Sequence, residues 1–150
     1  MGAGRLIPAL ALCGLATWSE PEPWRTGACR HVHRAAGVTA SLLVAEHPRG
    51  VVAMVEICNA TPAAIHVSPR SLPGAPFLLW DGEAVPTYLG SAPGGEGPSL
   101  APGKKLAFDV DLGELYDLLD GMFYQCAYAV ETSAGTSRSD YAGFYLRLTD

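Results

Sequence analysis

From Val38 onward, apolar residues recur at every second position in short runs separated by Gly- and Pro-bearing breaks. In "VTASLLVAE", Val38, Ala40, Leu42 and Val44 fall on one face. In "VVAMVEIC", Val51, Ala53, Val55 and Ile57 share a face, with Glu56 and Cys58 on the other. A period of two marks a strand with one buried side. "AAIHV" and "FLLW" read as further strands, as does "KKLAFDVDL", with Leu106, Phe108 and Val110 inward and Asp109 and Asp111 outward. "MFYQCAYAVE" is expected to be the longest strand, with Tyr124, Cys126, Tyr128 and Val130 inward and Gln125 and Glu131 outward. "FYLRLT" closes the chain through Phe144, Leu146 and Leu148. Only "GELYDLLDG" has helical spacing, enough for about two turns near 113–119.

These elements predict an all-β chain, with about eight antiparallel strands forming an immunoglobulin-like β-sandwich over residues 38–150. "FLLWDGEAVPTYLG", Phe77–Gly90, predicts a hairpin, because Asp81-Gly82 suits a tight type I′ turn. "GSAPGGEGPSLAPG" predicts a long Gly/Pro loop with nothing to pack. Asp120, Tyr124 and Cys126 follow the Asp…Tyr-x-Cys spacing of an immunoglobulin tyrosine corner. Asn59-Ala60-Thr61 is formally a glycosylation sequon, but an Asn at a strand end ahead of Pro62 reads more simply as a turn residue.

Residues 1–16, "MGAGRLIPALALCGLA", do not read as fold. Arg5, the apolar run Leu6–Leu12 and the small-x-small site Gly14-Leu15-Ala16 have the pattern of a secretory signal. The run is far short of a membrane span. The alternative is a lipid anchor through Cys13, against which the large Leu12 counts. Residues 17–37 form a Pro-, Trp- and charge-bearing lead-in. Export implies a periplasmic or secreted protein in an oxidising compartment, where Cys29, Cys58 and Cys126 yield one bridge and one buried thiol. Cys126 lies on an inward face and Cys58 on the face of Glu56. Parity therefore favours Cys29–Cys58, with a bridge through the core, Cys58–Cys126, as the alternative.

Composition narrows the function by exclusion. An apolar fraction of 49% with 17% charged residues excludes a disordered chain, and a net charge of −5 argues against nucleic acid. There is no HExxH, GxSxG or phosphate loop, so no enzyme activity and no cofactor are expected. His31-x-His33 supplies two potential ligands, too few for a metal site, and His47 and His66 stand alone. Asp109, Asp111, Glu114, Asp117 and Asp120 lack calcium-loop spacing and read as solvated. What remains is recognition by loops on a rigid sandwich. The expected contact residues are Trp80, Asp81, Gly82, Glu83 and Tyr88 of the hairpin, adjoined by the 91–103 loop, while Phe77 and Tyr145 are further aromatic candidates.

Several fragments in order carry a resemblance. "VEICNATPAAIHV" resembles a "V-x-V-x-N-x-x" strand end. "FLLWDGEAVPTYLG" resembles a "DGxxVPY-x-G" hairpin with Thr87 inserted before Tyr88. "SLAPGKKLAFDVDLGELYDLLDGMFYQCAYAV" resembles an "L-x-PG-x" strand ending "V-D-L", then "Y-D-L" and a Gly-led aromatic strand. This order is similar to the N-terminal, non-catalytic β-sandwich domain of deuterolysin-like (aspzincin) and peptidyl-Lys metalloendopeptidases, across Val38 to Val130. "L-x-PG" strands also occur in intracellular proteinase inhibitor-like domains. The zinc-binding catalytic domain has no counterpart in the sequence, so no catalytic residue carries over. The resemblance implies a non-catalytic module that engages or inhibits a protein partner such as a protease or other hydrolase, and a monomer or weak dimer is expected. Two alternatives are an immunity-type inhibitor of a secreted toxin and a copper- or zinc-handling sandwich using His31, His33 and Met54.

Overall fold

The computed structural model describes residues 24–30, 37–48, 50–90 and 95–147, which form eleven strands, one 3-10 turn and one helical turn. The expectations for the signal segment, Cys13, His31, His33 and Leu148 lie outside the described residues. The two longest strands are the first ones the alternation predicts. β2 (Val38–His47) and β3 (Gly50–Asn59) pair antiparallel along their whole length, from Val38 opposite Asn59 to His47 opposite Gly50. β7 (Lys104–Asp111) lies on the other side of β3, with Leu106 opposite Ile57 and Phe108 opposite Val55. β1 (Arg25–Ala28) completes the sheet at its edge, giving the order β1-β7-β3-β2. Residues 25–28, read in sequence as part of an unpatterned lead-in, are therefore a strand. Four residues are too few to show a period, and their register is supplied by β7.

The second sheet has the order β11-β8-β5, built from β5 (Leu78–Trp80), β8 (Phe123–Ala127) and β11 (Ala142–Tyr145). Two ribbons extend the fold: β4 (Ile65–His66) with β6 (Ser99–Leu100), and β9 (Ala129–Thr132) with β10 (Gly135–Arg138). A bridge between Val67 and Thr132 joins them. All these pairings are antiparallel, and the two main sheets enclose one core. Val51, Val55, Ile57 and Phe108 from the first sheet share it with Leu79, Tyr124, Cys126 and Phe144 from the second. The Tyr128 ring lies at its centre, 5.1 Å from Phe77 and 5.6 Å from Phe108. The protein is thus an all-β, sandwich-like fold.

Three local expectations are corrected. "MFYQCAYAVE" is two strands, because Tyr128 leaves the ladder to exchange hydrogen bonds with Ser139, donating to its Oγ (2.9 Å) and accepting from its N–H (2.8 Å). The helix is a single turn, α1 (Leu112–Leu115), capped by the Asp111 carboxylate on the Gly113 N–H. It stops at Tyr116, whose backbone turns extended to bridge Tyr88. The Gly/Pro segment is not empty: Leu100 is buried, and Gly97 abuts the Val67 carbonyl so closely that a Cβ there would collide with it.

Two predicted polar features hold. The Tyr124 hydroxyl accepts from the Leu119 N–H at 2.8 Å, the backbone contact expected of a tyrosine corner. Asn59 is the last residue of β3, its side chain holds the turn that follows, and it is fully buried: Nδ2 donates to the carbonyls of Ala63 and Leu100, and Oδ1 accepts from Thr61. The sequon nitrogen is therefore occupied inside the fold. Cys29 and Cys58 are bridged, and Cys126 is a buried free thiol, as strand parity indicated; the alternative Cys58–Cys126 pairing is not formed.

Candidate partner-binding surface

β5 is only three residues long and lies at the edge of its sheet. Alternation turns Leu79 into the core and leaves Leu78 and Trp80 outside, with Trp80 47% exposed. Phe123 and Tyr145 also point outward from β8 and β11, directly opposite each other. Gln125 lies between Trp80 and Gly143 in the ladder. The Phe123 ring covers Gly143, where an added Cβ would lie 2.6 Å from the ring edge. A side chain at that position would displace the ring. The outer face of the three-stranded sheet thus exposes Leu78, Trp80, Phe123 and Tyr145 around the polar Gln125, while Ala127 on the same face is covered. At its far side the Arg147 guanidinium stacks over Tyr145, 5.0 Å from the ring centroid.

Past Trp80 the chain forms a rim. Asp81 N–H donates to the Ala84 carbonyl, Gly82 takes φ +101°, and the Asp81 carboxylate accepts from the N–H groups of Ala84 (2.7 Å) and Glu83 (2.8 Å). Those backbone donors hold the Asp81 carboxyl below its ordinary range. The chain does turn here, but the turn is closed between Asp81 and Ala84 with Gly82-Glu83 at its centre, not around Asp81-Gly82 as predicted, and the ribbon is absent: no strand follows it, since β5 pairs with β8 instead. Residues 84–90 run to a different neighbour. Asp117 N–H donates to the Thr87 carbonyl (2.9 Å), and Leu89 N–H donates to the Leu115 carbonyl (2.7 Å). Val85 and Leu89 are left strongly exposed.

Of the five residues expected at the surface, Trp80, Asp81, Gly82 and Glu83 are together on the rim turn. Tyr88 is not. It packs its ring on Tyr116, 5.4 Å between centroids, and its hydroxyl is buried against Gly90, with burial raising its pKa. Its role is to fix the rim to the segment after α1. Tyr116 in turn holds Phe77, its hydroxyl donating to the Phe77 carbonyl and accepting from the Phe77 N–H, both at 2.7 Å. Phe77 is accordingly core. The juxtaposition of Leu78 and Phe123 on the outer face depends on long-range pairing between β5 and β8.

Other sites are less developed. An open cavity of about 460 Å³ between β4 and β9 is lined by His66, Ser68, Glu96, Glu131 and Ser133. Among the described residues no group of three or more His, Cys, Asp or Glu is placed to hold a metal. Met54, the methionine of the copper or zinc alternative, lies in a shallow groove on the outside of the first sheet with Arg25, Leu43 and Asp109. No helix among the described residues is long and apolar enough to cross a membrane. No protein-family model matches the chain, and no curated protein matches it.

Proposed function

We propose that the protein is an exported, non-catalytic binding module that engages a protein partner, a hydrolase such as a protease, through the outer face of the β11-β8-β5 sheet and the adjoining rim. One observation carries this reading: Trp80, Phe123 and Tyr145 present exposed aromatic side chains across three hydrogen-bonded strands. Aromatic residues are enriched in protein interfaces, and a contiguous exposed apolar patch on a small domain marks a contact site. The rigidity of the strands lowers the ordering cost of binding. The Cys29–Cys58 bridge supports an oxidising compartment, periplasmic or extracellular. The resemblance of its motif order to that of the non-catalytic domains of deuterolysin-like peptidases supports a module that works beside a hydrolase.

The test is capture from the secreted and envelope fraction of the producing cells, with the oxidised full chain as bait. A Trp80→Ala/Phe123→Ser variant serves as control, both residues being exposed and dispensable for the core. A protein enriched by the native chain and lost with the variant is expected. Equal recovery by both baits, or none by either, overturns the proposal.

A further inference from the structure

The rim has a second property, in its charge. The segment Leu78–Gly90 and the segment Leu106–Phe123 together carry Asp81, Glu83, Asp109, Asp111, Glu114, Asp117 and Asp120, and not one Lys, Arg or His. On the outside of the first sheet Asp109 pairs with Arg25 (3.2 Å) and Glu56 with Lys105 (3.1 Å). Glu83, Glu114 and Asp117 are exposed and take no ion pair among the described residues. The nearest cation in sequence after this stretch, Arg138, stacks over Tyr141, and Arg147 stacks over Tyr145.

Where these segments meet Gly50 of β3 and Leu146 lies a cleft of about 340 Å³, with the His47 ring and the Asp111 carboxylate both close to Gly50. Leu89, Leu118 and Leu146 give it apolar walls, and Glu114 and Asp117 line the same cleft. The Asp111 carboxylate is already occupied in capping α1. An aliphatic wall beside carboxylates that take no ion pair among the described residues complements a side chain with an apolar stem and a cationic head. Lysine and arginine are the only such side chains. A small apolar ligand would leave the acids unmatched, and a metal ion would leave the leucines unmatched.

We propose that this cleft receives a lysine or arginine of the protein partner, the stem lying on Leu89, Leu118 and Leu146 and the charge meeting Glu114 and Asp117. The partner segment is basic and amphipathic, its apolar residues resting on the exposed Leu89. This rests on the binding-module reading and specifies its partner.

The experiment uses the oxidised full chain and a synthetic amphipathic peptide of alternating Lys and Leu residues, with a Glu-for-Lys peptide as control. The Lys peptide is expected to bind and the Glu peptide not to. Glu114→Lys/Asp117→Lys is expected to weaken binding by about tenfold or more, as loss of a close charge pair does. The Glu114→Gln/Asp117→Asn pair should act in the same direction, which separates lost attraction from introduced repulsion. Glu96→Lys/Glu131→Lys, which changes net charge equally at the other cavity, should have little effect. Equal loss from both charge-reversed variants would show general attraction to an acidic protein and overturn the proposal, as would absence of Lys-peptide binding. If capture of a partner depends on Trp80 and Phe123 but is indifferent to Glu114→Lys/Asp117→Lys, the binding module stands and the basic anchor falls.

Discussion

Tyr116 satisfies both backbone groups of Phe77 with one hydroxyl, and so joins the start of the second sheet to the end of α1. Removing that oxygen leaves a buried N–H and a buried C=O without partners, which is costlier than deleting both sides of a hydrogen bond. Tyr116→Phe should therefore lower stability by roughly 2–4 kcal/mol in urea denaturation. Tyr124→Phe, which unpairs only the Leu119 N–H, should cost about 1 kcal/mol. A smaller loss for Tyr116→Phe than for Tyr124→Phe would contradict this ranking. Period-two alternation correctly placed Tyr124, Cys126, Tyr128 and Val130 inside, because which face a side chain takes is a local property of a strand. Tyr116 gave no such signal. It follows a helical turn, and its partner lies 39 residues away.

At the scale of elements, the short strands depend on what holds them. β1 has four residues, a single neighbouring strand and the Cys29–Cys58 bridge, which ties it across β7 to the end of β3. Cross-linking residues 29 positions apart removes unfolded-chain entropy equivalent to about 3–4 kcal/mol. The double variant Cys29→Ala/Cys58→Ala should lose that much, with β1 amides exchanging first. Reductant should destabilise the native protein similarly and leave the variant unchanged; a native protein indifferent to reductant would refute the account. The bridge was legible in sequence because strand parity assigns faces to Cys58 and Cys126. Much of the candidate surface was not. Asp81-Gly82 announced a change of direction, but neither that the turn would close between Asp81 and Ala84 nor that β5 would pair with β8, since a turn signal does not fix the eventual neighbour. The cleft beside Leu89 escaped notice for the same reason: its two walls come from separate segments, joined by the Thr87–Asp117 and Leu89–Leu115 hydrogen bonds.

For the molecule as a whole, the core that closes the sandwich is rich in groups able to ionise, and this sets a limit on its stability in alkali. Burial pushes the Cys126 thiol from an ordinary 9.0 up to about 12 and the Tyr116 phenol from 10.0 up to about 12. Tyr128 is raised as well, by the same desolvation. All three remain protonated in the fold at pH values where an unfolded chain has begun to release those protons. Where the unfolded state binds fewer protons than the native state, stability falls as pH rises. The contribution of these groups is therefore fully present below pH about 9 and is lost progressively between about 9 and 12. Denaturation midpoints at pH 8, 9, 10 and 11 should show a decline that begins with the thiol and steepens once the tyrosines of the unfolded chain titrate. Cys126→Ala removes the first part only: its midpoint, lower at neutral pH because of the cavity left in the core, should stay flat to about pH 10 before falling. A native midpoint constant up to pH 11 would mean that these groups ionise within the fold, and so that water reaches the space between the sheets.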